Sequence, residues 1–239
     1  MVFGAILAGG VGSRMHMADM PKQFLPLGDK PIIIHTLEKF LTCPELDAVY
    51  IGVHADWVGY MNDLIEKYLP ESVAKNVTTI AGGSDRNETI LNIVAAIEAD
   101  HGESDEHIIV SHDAVRPFIT LRMIEENIKY AREYGAVDTV IAAVDTIVVS
   151  EGGEFITDIP DRRKMYQGQT PQSFKINLLK ELYNSLTPEE KGILTDACKI
   201  CVVRDQPVYL VEGSYTNIKV TTPGDYKIAQ AMVGGNILD

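Results

Sequence analysis

Two cations flank a run of glycines near the start of the chain. The segment Leu7-Ala8-Gly9-Gly10-Val11-Gly12-Ser13-Arg14 is followed by Pro21-Lys22-Gln23-Phe24-Leu25. Glycines let a loop approach phosphate oxygens closely and aim backbone N–H groups at them. The Arg14 guanidinium suits non-bridging oxygens, and the Lys22 ammonium acts as a point charge. The chemistry expected here is neutralisation of a polyphosphate, with Leu7, Ala8, Gly9, Gly10 and Gly12 forming the cradle. Two better-known glycine loops do not fit. The pattern G-x-x-x-x-G-K-[ST] is absent. The pattern G-x-G-x-x-G begins at Gly10 but has Met15 at its third glycine, and the second strand ends Gly52-Val53-His54 without an acid to hold a ribose.

A second cluster, Ser111-His112-Asp113-Ala114-Val115-Arg116-Pro117, follows an apolar run. It places Asp113 at the carboxyl end of a strand, where open α/β sheets bind ligands. A carboxylate there, beside phosphates, is a suitable ligand for Mg²⁺ or another divalent cation. Asp113 and Arg116 pairing merely to shape the turn is the structural alternative. His112 is a candidate for a catalytic role, although a histidine beside a metal ligand is more often structural. Gly82-Gly83-Ser84-Asp85-Arg86-Asn87-Glu88-Thr89 follows the third strand and opens a helix, with Ser84 or Asp85 as its cap. From Arg162 to Lys180 there are five basic residues and no acid, an island that calls for an anion. Lys219 stands just before the last helix. Cys198 and Cys201 have redox spacing but no second pair for zinc, and read as structural.

The elements that must carry these residues alternate. Strands are expected at 2–8, 48–53, 77–81, 107–111, 138–144 and 207–211. Each is mostly apolar at consecutive positions, as in parallel strands buried on both faces. Helices are expected at 32–41, 57–68, 88–99, 121–134 and 174–185, with further starts at Thr187-Pro188 and Thr222-Pro223. The fold class is therefore α/β: a Rossmann-like open, mostly parallel sheet with helices on both faces. Residues 145–160 read as two short strands around Gly152-Gly153, a protruding β-hairpin arm. An isolated ribbon is marginal in water, so it leans either on its own domain or on a second subunit. No linker or repeat interrupts residues 1–239, read as a single domain.

The chain has 239 residues and a net charge of −13. That balance argues against a nucleic-acid partner, which needs a basic face, and against an anionic membrane surface. No apolar run approaches a membrane span, no secretion signal is visible, and three cysteines are too few for a disulfide scaffold. These features point to the cytoplasm. A local cationic pocket for a small anion remains compatible with an acidic whole.

Taken in order, Leu7 to Leu25, Gly82 to Thr89, His112 to Pro117, Gln169-Thr170-Pro171-Gln172, Thr195-Asp196 and Asn217 to Thr221 resemble the IspD-like cytidylyltransferases over nearly the whole chain. Within that family the wording is more similar to the branch acting on D-ribitol 5-phosphate, in teichoic acid or capsule synthesis, than to the methylerythritol-phosphate branch of isoprenoid synthesis. The resemblance implies a single nucleotidyltransferase domain that joins CTP to a polyol phosphate and releases pyrophosphate. It implies that Arg14 and Lys22 hold the triphosphate and that Lys219 reaches the α-phosphate, the three forming the catalytic set. Gly82, Gly83, Arg86 and Thr89 would frame cytosine and ribose, Asp113 would ligate the metal, and Arg116 would lie on the nucleotide side. Thr146, Arg162 and Thr195 would sit near the polyol phosphate. The arm would cross a homodimer interface and carry Arg162 to the partner's site. An alditol-phosphate-forming reductase is the pathway neighbour that the resemblance suggests.

Overall fold

Val2, Ile6 and Ala8 bury into one apolar cluster, while Phe3 and Ala5 bury into another. That alternation is the signature of a strand covered by helices on both faces. The computed structural model describes residues 1–10, 20–194 and 196–235. In chain order the strands are β1 (Val2–Ala8), β2 (Pro26–Leu27), β3 (Lys30–Pro31), β4 (Ala48–Val53), β5 (Val77–Ala81), β6 (Ile108–Asp113), β7 (Ala136–Ala142), β8 (Tyr166–Lys175) and β9 (Tyr209–Glu212). The helices are α1 (Ile32–Leu41), α2 (Val58–Tyr68), α3 (Glu71–Ala74), α4 (Arg86–His101), α5 (Leu121–Tyr134), α6 (Ile176–Asn184), α7 (Pro188–Gly192), α8 (Cys198–Val203) and α9 (Pro223–Val233).

Seven strands form one sheet in the order β5-β4-β1-β6-β8-β7-β9, and β2 and β3 form a small ribbon of their own. The large sheet is mostly parallel, with β8 running against both of its neighbours. One face packs on α1, α2 and α5 through Leu37, Phe40, Met61, Leu64 and Ile128. The other packs on α4, α6 and α8 through Ile93, Ile97, Leu179 and Ile200. A third cluster docks α9 on the ribbon through Leu27, Ile32, Tyr226 and Ala229. The open α/β sheet expected from the sequence is therefore present. α1 and α5 occupy the expected residues, and Thr187 and Thr222 each close a capping box with Pro at the first turn.

Two expectations need correction. Residues 162–180 read as a basic island that calls for an anion, yet residues 166–175 form β8, inserted between β6 and β7. Four of its buried positions are polar, Gln169, Thr170, Gln172 and Ser173, beside Pro171 and Phe174, so the apolar signal of an interior strand is weak. The arm, expected as two strands, is closed by one antiparallel bridge, Val149↔Asp158. Its apolar side chains face solvent in the single chain, Phe155 at 79% exposure, so nothing packs against it to propagate a ladder.

Gly52 in β4 fixes how closely α4 approaches the sheet. A Cβ at Gly52 would lie 2.5 Å from Thr89 Cγ2 on the first turn of α4. Gly52→Ala is expected to destabilise the protein by about 1–3 kcal/mol, the usual cost of overpacking, read as a lower urea midpoint. An unchanged midpoint would show that α4 does not depend on this contact.

Candidate active site

The sheet order reverses around β1: the chain runs from β1 to β4 on one side, and β6 lies on the other. Ligands in such sheets bind at the carboxyl ends beside this reversal. A cavity of about 260 Å³ opens there. Its walls are Leu7 to Gly10 after β1, Gly83 to Arg86 after β5, Asp113 at the end of β6, and the side chains of Lys22 and Lys219. Buried Gln23 holds the first loop, its Nε2 donating to the carbonyls of Ala8 at 2.6 Å and Gly10 at 3.2 Å.

Asp113 is the electrostatic centre. It is 7% exposed, and three cations from three segments converge on it. Lys219 Nζ lies 2.9 Å from Oδ2, Arg116 Nε 3.4 Å from Oδ2, and Arg86 Nε 3.6 Å from Oδ1. Burial alone would raise its pKa, but Arg86, Lys219 and Arg116 together outweigh that and hold the carboxyl well below the usual range. The carboxylate is therefore ionised at every working pH, as a cation ligand must be.

Neighbouring groups fix its backbone and its cations. The Asp113 N–H donates to Thr170 Oγ1 at 3.2 Å. His112 Nε2 contacts the Arg116 carbonyl at 3.1 Å, and His112 Nδ1 contacts Thr170 Oγ1 at 2.9 Å. A carbonyl only accepts, so Nε2 carries the proton and the Thr170 hydroxyl donates to Nδ1. Burial lowers the His112 pKa to about 4, so the ring is neutral. Both its nitrogens are spent inside the fold, which assigns His112 the structural role. Arg116 Nη1 donates to the Asn217 carbonyl at 2.8 Å, and Asn217 Nδ2 donates to Thr170 O at 2.9 Å. Arg116 thus lies behind Asp113, joining the β6 turn to the loop that carries Lys219.

The α4 entrance is built similarly. Asp85 is the cap, accepting from the Glu88 N–H at 2.9 Å, while Glu88 accepts from the Ser84 N–H at 2.6 Å. Buried Thr89 accepts from the Gly83 N–H at 3.0 Å and donates to the Asp85 carbonyl at 2.8 Å. This leaves Gly83 and Ser84 on the cavity wall with Thr89 supporting them from beneath.

A second polar group lies farther along the same sheet face. Ser111 in β6, Gln172 in β8 and Asp138 in β7 share one register row. Gln172 Nε2 donates to Asp138 at 3.0 Å and to both Asp196 oxygens at 2.8 Å. Burial first, and then Asp196, push the Asp138 carboxyl up to about 7, against the opposing effects of Gln172 and Arg86. Asp138 carries no motif signal in a single sequence; Gln23, Gln172 and Asp196 fall inside segments singled out above, but nothing in their spacing foretells these long-range contacts.

The structure brings Leu7, Ala8, Gly9, Gly10, Lys22, Gly83, Arg86, Thr89, Asp113 and Lys219 to one cavity. Gly82 precedes this wall and donates its N–H to the Val53 carbonyl. Gly12, Arg14 and Thr195 lie outside the described residues. Thr146 and Arg162 are exposed at the base of the arm and do not line the cavity of their own chain, with Arg162 Nη1 donating to the Val144 carbonyl at 2.7 Å. No helix among the described residues is long and apolar enough to cross a membrane.

Residues 2–235 match the family described as 2-C-methyl-D-erythritol 4-phosphate cytidylyltransferase, IspD. The ribitol-5-phosphate cytidylyltransferase of Streptococcus pneumoniae serotype 2 (strain D39) is 54% identical over 233 residues, covering 98% of this chain and 99% of that protein. The corresponding protein of serotype 19F (strain G54) is 53% identical over the same share. Among solved structures, 4-diphosphocytidyl-2C-methyl-D-erythritol synthase from Anaerococcus prevotii superposes with a TM-score of 0.80 at 24% identity, over 98% of this chain and 96% of that one. The 2-C-methyl-D-erythritol 4-phosphate cytidylyltransferase of Thermus thermophilus gives 0.73 at 24% identity, over 98% and 100%. These two likenesses establish the fold.

The Asp138 carboxyl yields a stability test. Its folded pKa of about 7 exceeds the ordinary 3.8, so between those values the folded chain binds more protons than the unfolded one. Its contribution to stability therefore falls as pH rises through that window and is most unfavourable above pH 7. Asp138→Asn removes the titration. Its gain in Tm is expected to be larger at pH 8 than at pH 5 by roughly 5 °C, measured by calorimetry. An equal change at both pH values would contradict the shift.

Proposed function

The chain belongs to the IspD family of cytidylyltransferases, and on that premise we propose that it joins CTP to D-ribitol 5-phosphate, forming CDP-ribitol and releasing pyrophosphate. The observation that carries the reaction class is the Asp113 cage: one ionised carboxylate and three cations beside a glycine cradle and Lys22. The choice of acceptor is supported by full-length relatives at 54% identity that bear the ribitol-5-phosphate name. The family's own description favours a second reading, with 2-C-methyl-D-erythritol 4-phosphate as acceptor.

A phosphate oxygen of the acceptor attacks the α-phosphorus of CTP in line, and the bond to pyrophosphate breaks. A phosphate monoester with a second pKa near 6 is already a dianionic nucleophile at neutral pH. No general base is needed, in keeping with His112 being locked inside the fold. The task is to bring two anions together. Lys22 and Arg14 hold the triphosphate. The Lys219 side chain, 42% exposed, turns from Asp113 to the α-phosphate. The backbone of Gly82 and Gly83, with Arg86 and Thr89 behind it, frames cytosine and ribose.

Asp113 fits a divalent cation such as Mg²⁺. It is a hard oxygen donor, kept ionised, already binding a cation at 2.9 Å and standing where substrate phosphates complete the set. When bound, the ion neutralises charge on the phosphate oxygens. Thr195 and, from a second copy, Thr146 and Arg162 would receive the acceptor phosphate. Pairing through the arm is supported by its exposed Phe155, Ile156 and Ile159 and by the absence of Thr146 and Arg162 from the cavity wall of their own chain. A reductase that forms alditol phosphates would supply the acceptor.

Pyrophosphate release, measured with CTP and each polyol phosphate in parallel, is expected with D-ribitol 5-phosphate. Turnover with 2-C-methyl-D-erythritol 4-phosphate instead would establish the second reading. Lys22→Ala and Lys219→Ala are each expected to lower kcat by about 10²–10³, the usual effect of one lost electrostatic donor. Arg162→Ala should raise KM for the acceptor, and mixing it with Lys219→Ala should restore activity if Arg162 serves the partner's site. Near-normal turnover in both lysine variants would overturn the assignment.

A further inference from the structure

The Asp113 cage leaves part of its own sheet face unexplained. Asp113 lies two residues beyond Ser111 in β6 and therefore faces the same side. Ser111 pairs with Gln172, and Gln172 pairs with Asp138. Ile109, Phe174 and Ala136 of the same three strands all bury in the α4, α6 and α8 cluster. Asp113, Gln172 and Asp138 thus form a polar row on one face. Asp138 stands two strand spacings from β6, about 10 Å.

The row is rich in acceptors. Asp138 and Asp196 share the amide of Gln172, a residue with no exposed surface whose Oε1 has no partner among the described residues. The strand next to Asp138 carries Gly168, and a Cβ built there would meet only Asp138 Oδ2, at 3.8 Å. No side chain at position 168 covers that oxygen. Three donor atoms of Asp138, Asp196 and Cys198 lie within 4.8 Å of one another, an arrangement that resembles a metal site. Burial, however, keeps the Cys198 thiol protonated, and Gln172 Nε2 already contacts Asp138 Oδ1 and both Asp196 oxygens, which leaves Asp138 Oδ2 as the open acceptor. The site is therefore suited to hydroxyl donors and not to a metal ion.

We propose that Asp138 and Asp196, held by Gln172 and uncovered by Gly168, bind the hydroxyl groups of the acceptor's open polyol chain and select for a hydroxyl-rich acceptor. The inference rests on the reading of the reaction above. With the acceptor phosphate poised against the α-phosphate that Lys219 holds near Asp113, a five-carbon alditol extends across β8 toward β7. Its hydroxyls would donate to carboxylates that have spare lone pairs.

The test compares wild type, Asp138→Asn and Gly168→Val by pyrophosphate release, with CTP affinity measured separately by calorimetry. Asp138→Asn weakens the acceptor site chemically, and Gly168→Val covers it without removing the carboxylate. KM for D-ribitol 5-phosphate is expected to rise about 10–100-fold in each, the usual effect of one lost charged hydrogen bond, with CTP affinity within twofold of wild type. An acceptor KM unchanged in both variants would overturn the proposal. So would a parallel loss of CTP affinity, which marks a structural role. Failure of the wild type to turn over D-ribitol 5-phosphate would instead overturn the underlying reading.

Discussion

A carboxylate almost removed from water stays ionised only where positive charge is brought to it. Asp113 obtains that charge from three places in the chain: the start of α4, the turn after β6 and the loop before α9. At an effective dielectric near 20, a unit pair 4 Å apart is worth about 4 kcal/mol, and desolvation takes much of it back. The three cations come from separate segments, and one of them is itself braced. Arg116 is fixed by the Asn217 carbonyl, Asn217 by Thr170, and Thr170 by His112 and the Asp113 backbone. The cage therefore also fixes the relative positions of the three loops that wall the cavity.

The cage reconciles the acidity of the chain with its chemistry. A net charge of −13 describes the whole surface, whereas the cavity gathers Lys22, Arg86 and Lys219 around one buried acid. A phosphorylated nucleotide meets positive charge that is already positioned, at low reorganisation cost. Farther along the same face, Asp138 is buried at a cost in stability above neutral pH. A destabilising buried acid beside a reaction site is the kind of feature that binding a substrate accounts for.

Much of this was legible in the residues. The continuous apolar run of β1, the amphipathic α1 and α5, and the capping boxes at Thr187 and Thr222 rest on local sequence pattern and local hydrogen bonds. The position of Asp113 at the end of β6, on the cavity wall, is legible because the carboxyl end of a buried strand is a general place for such a residue. β8 is not legible: four of its interior positions, Gln169, Thr170, Gln172 and Ser173, are polar and bond to partners 24 to 58 residues away in sequence. The support given by Gln23 and the role of Arg116 behind Asp113 likewise depend on long-range pairing. The arm reads as a ribbon because two strand-like runs flank Gly152-Gly153, but its apolar side chains have no surface of their own chain to pack on.

The central claim is that the Asp113 charge holds three loops in place. Hydrogen–deuterium exchange of wild type and Asp113→Asn, followed by peptide, tests it most directly. Faster exchange is expected in residues 83–89, 114–118 and 214–222, with α2 and the β4–β5 pair unchanged. Equal protection of all three loops in the variant would contradict it.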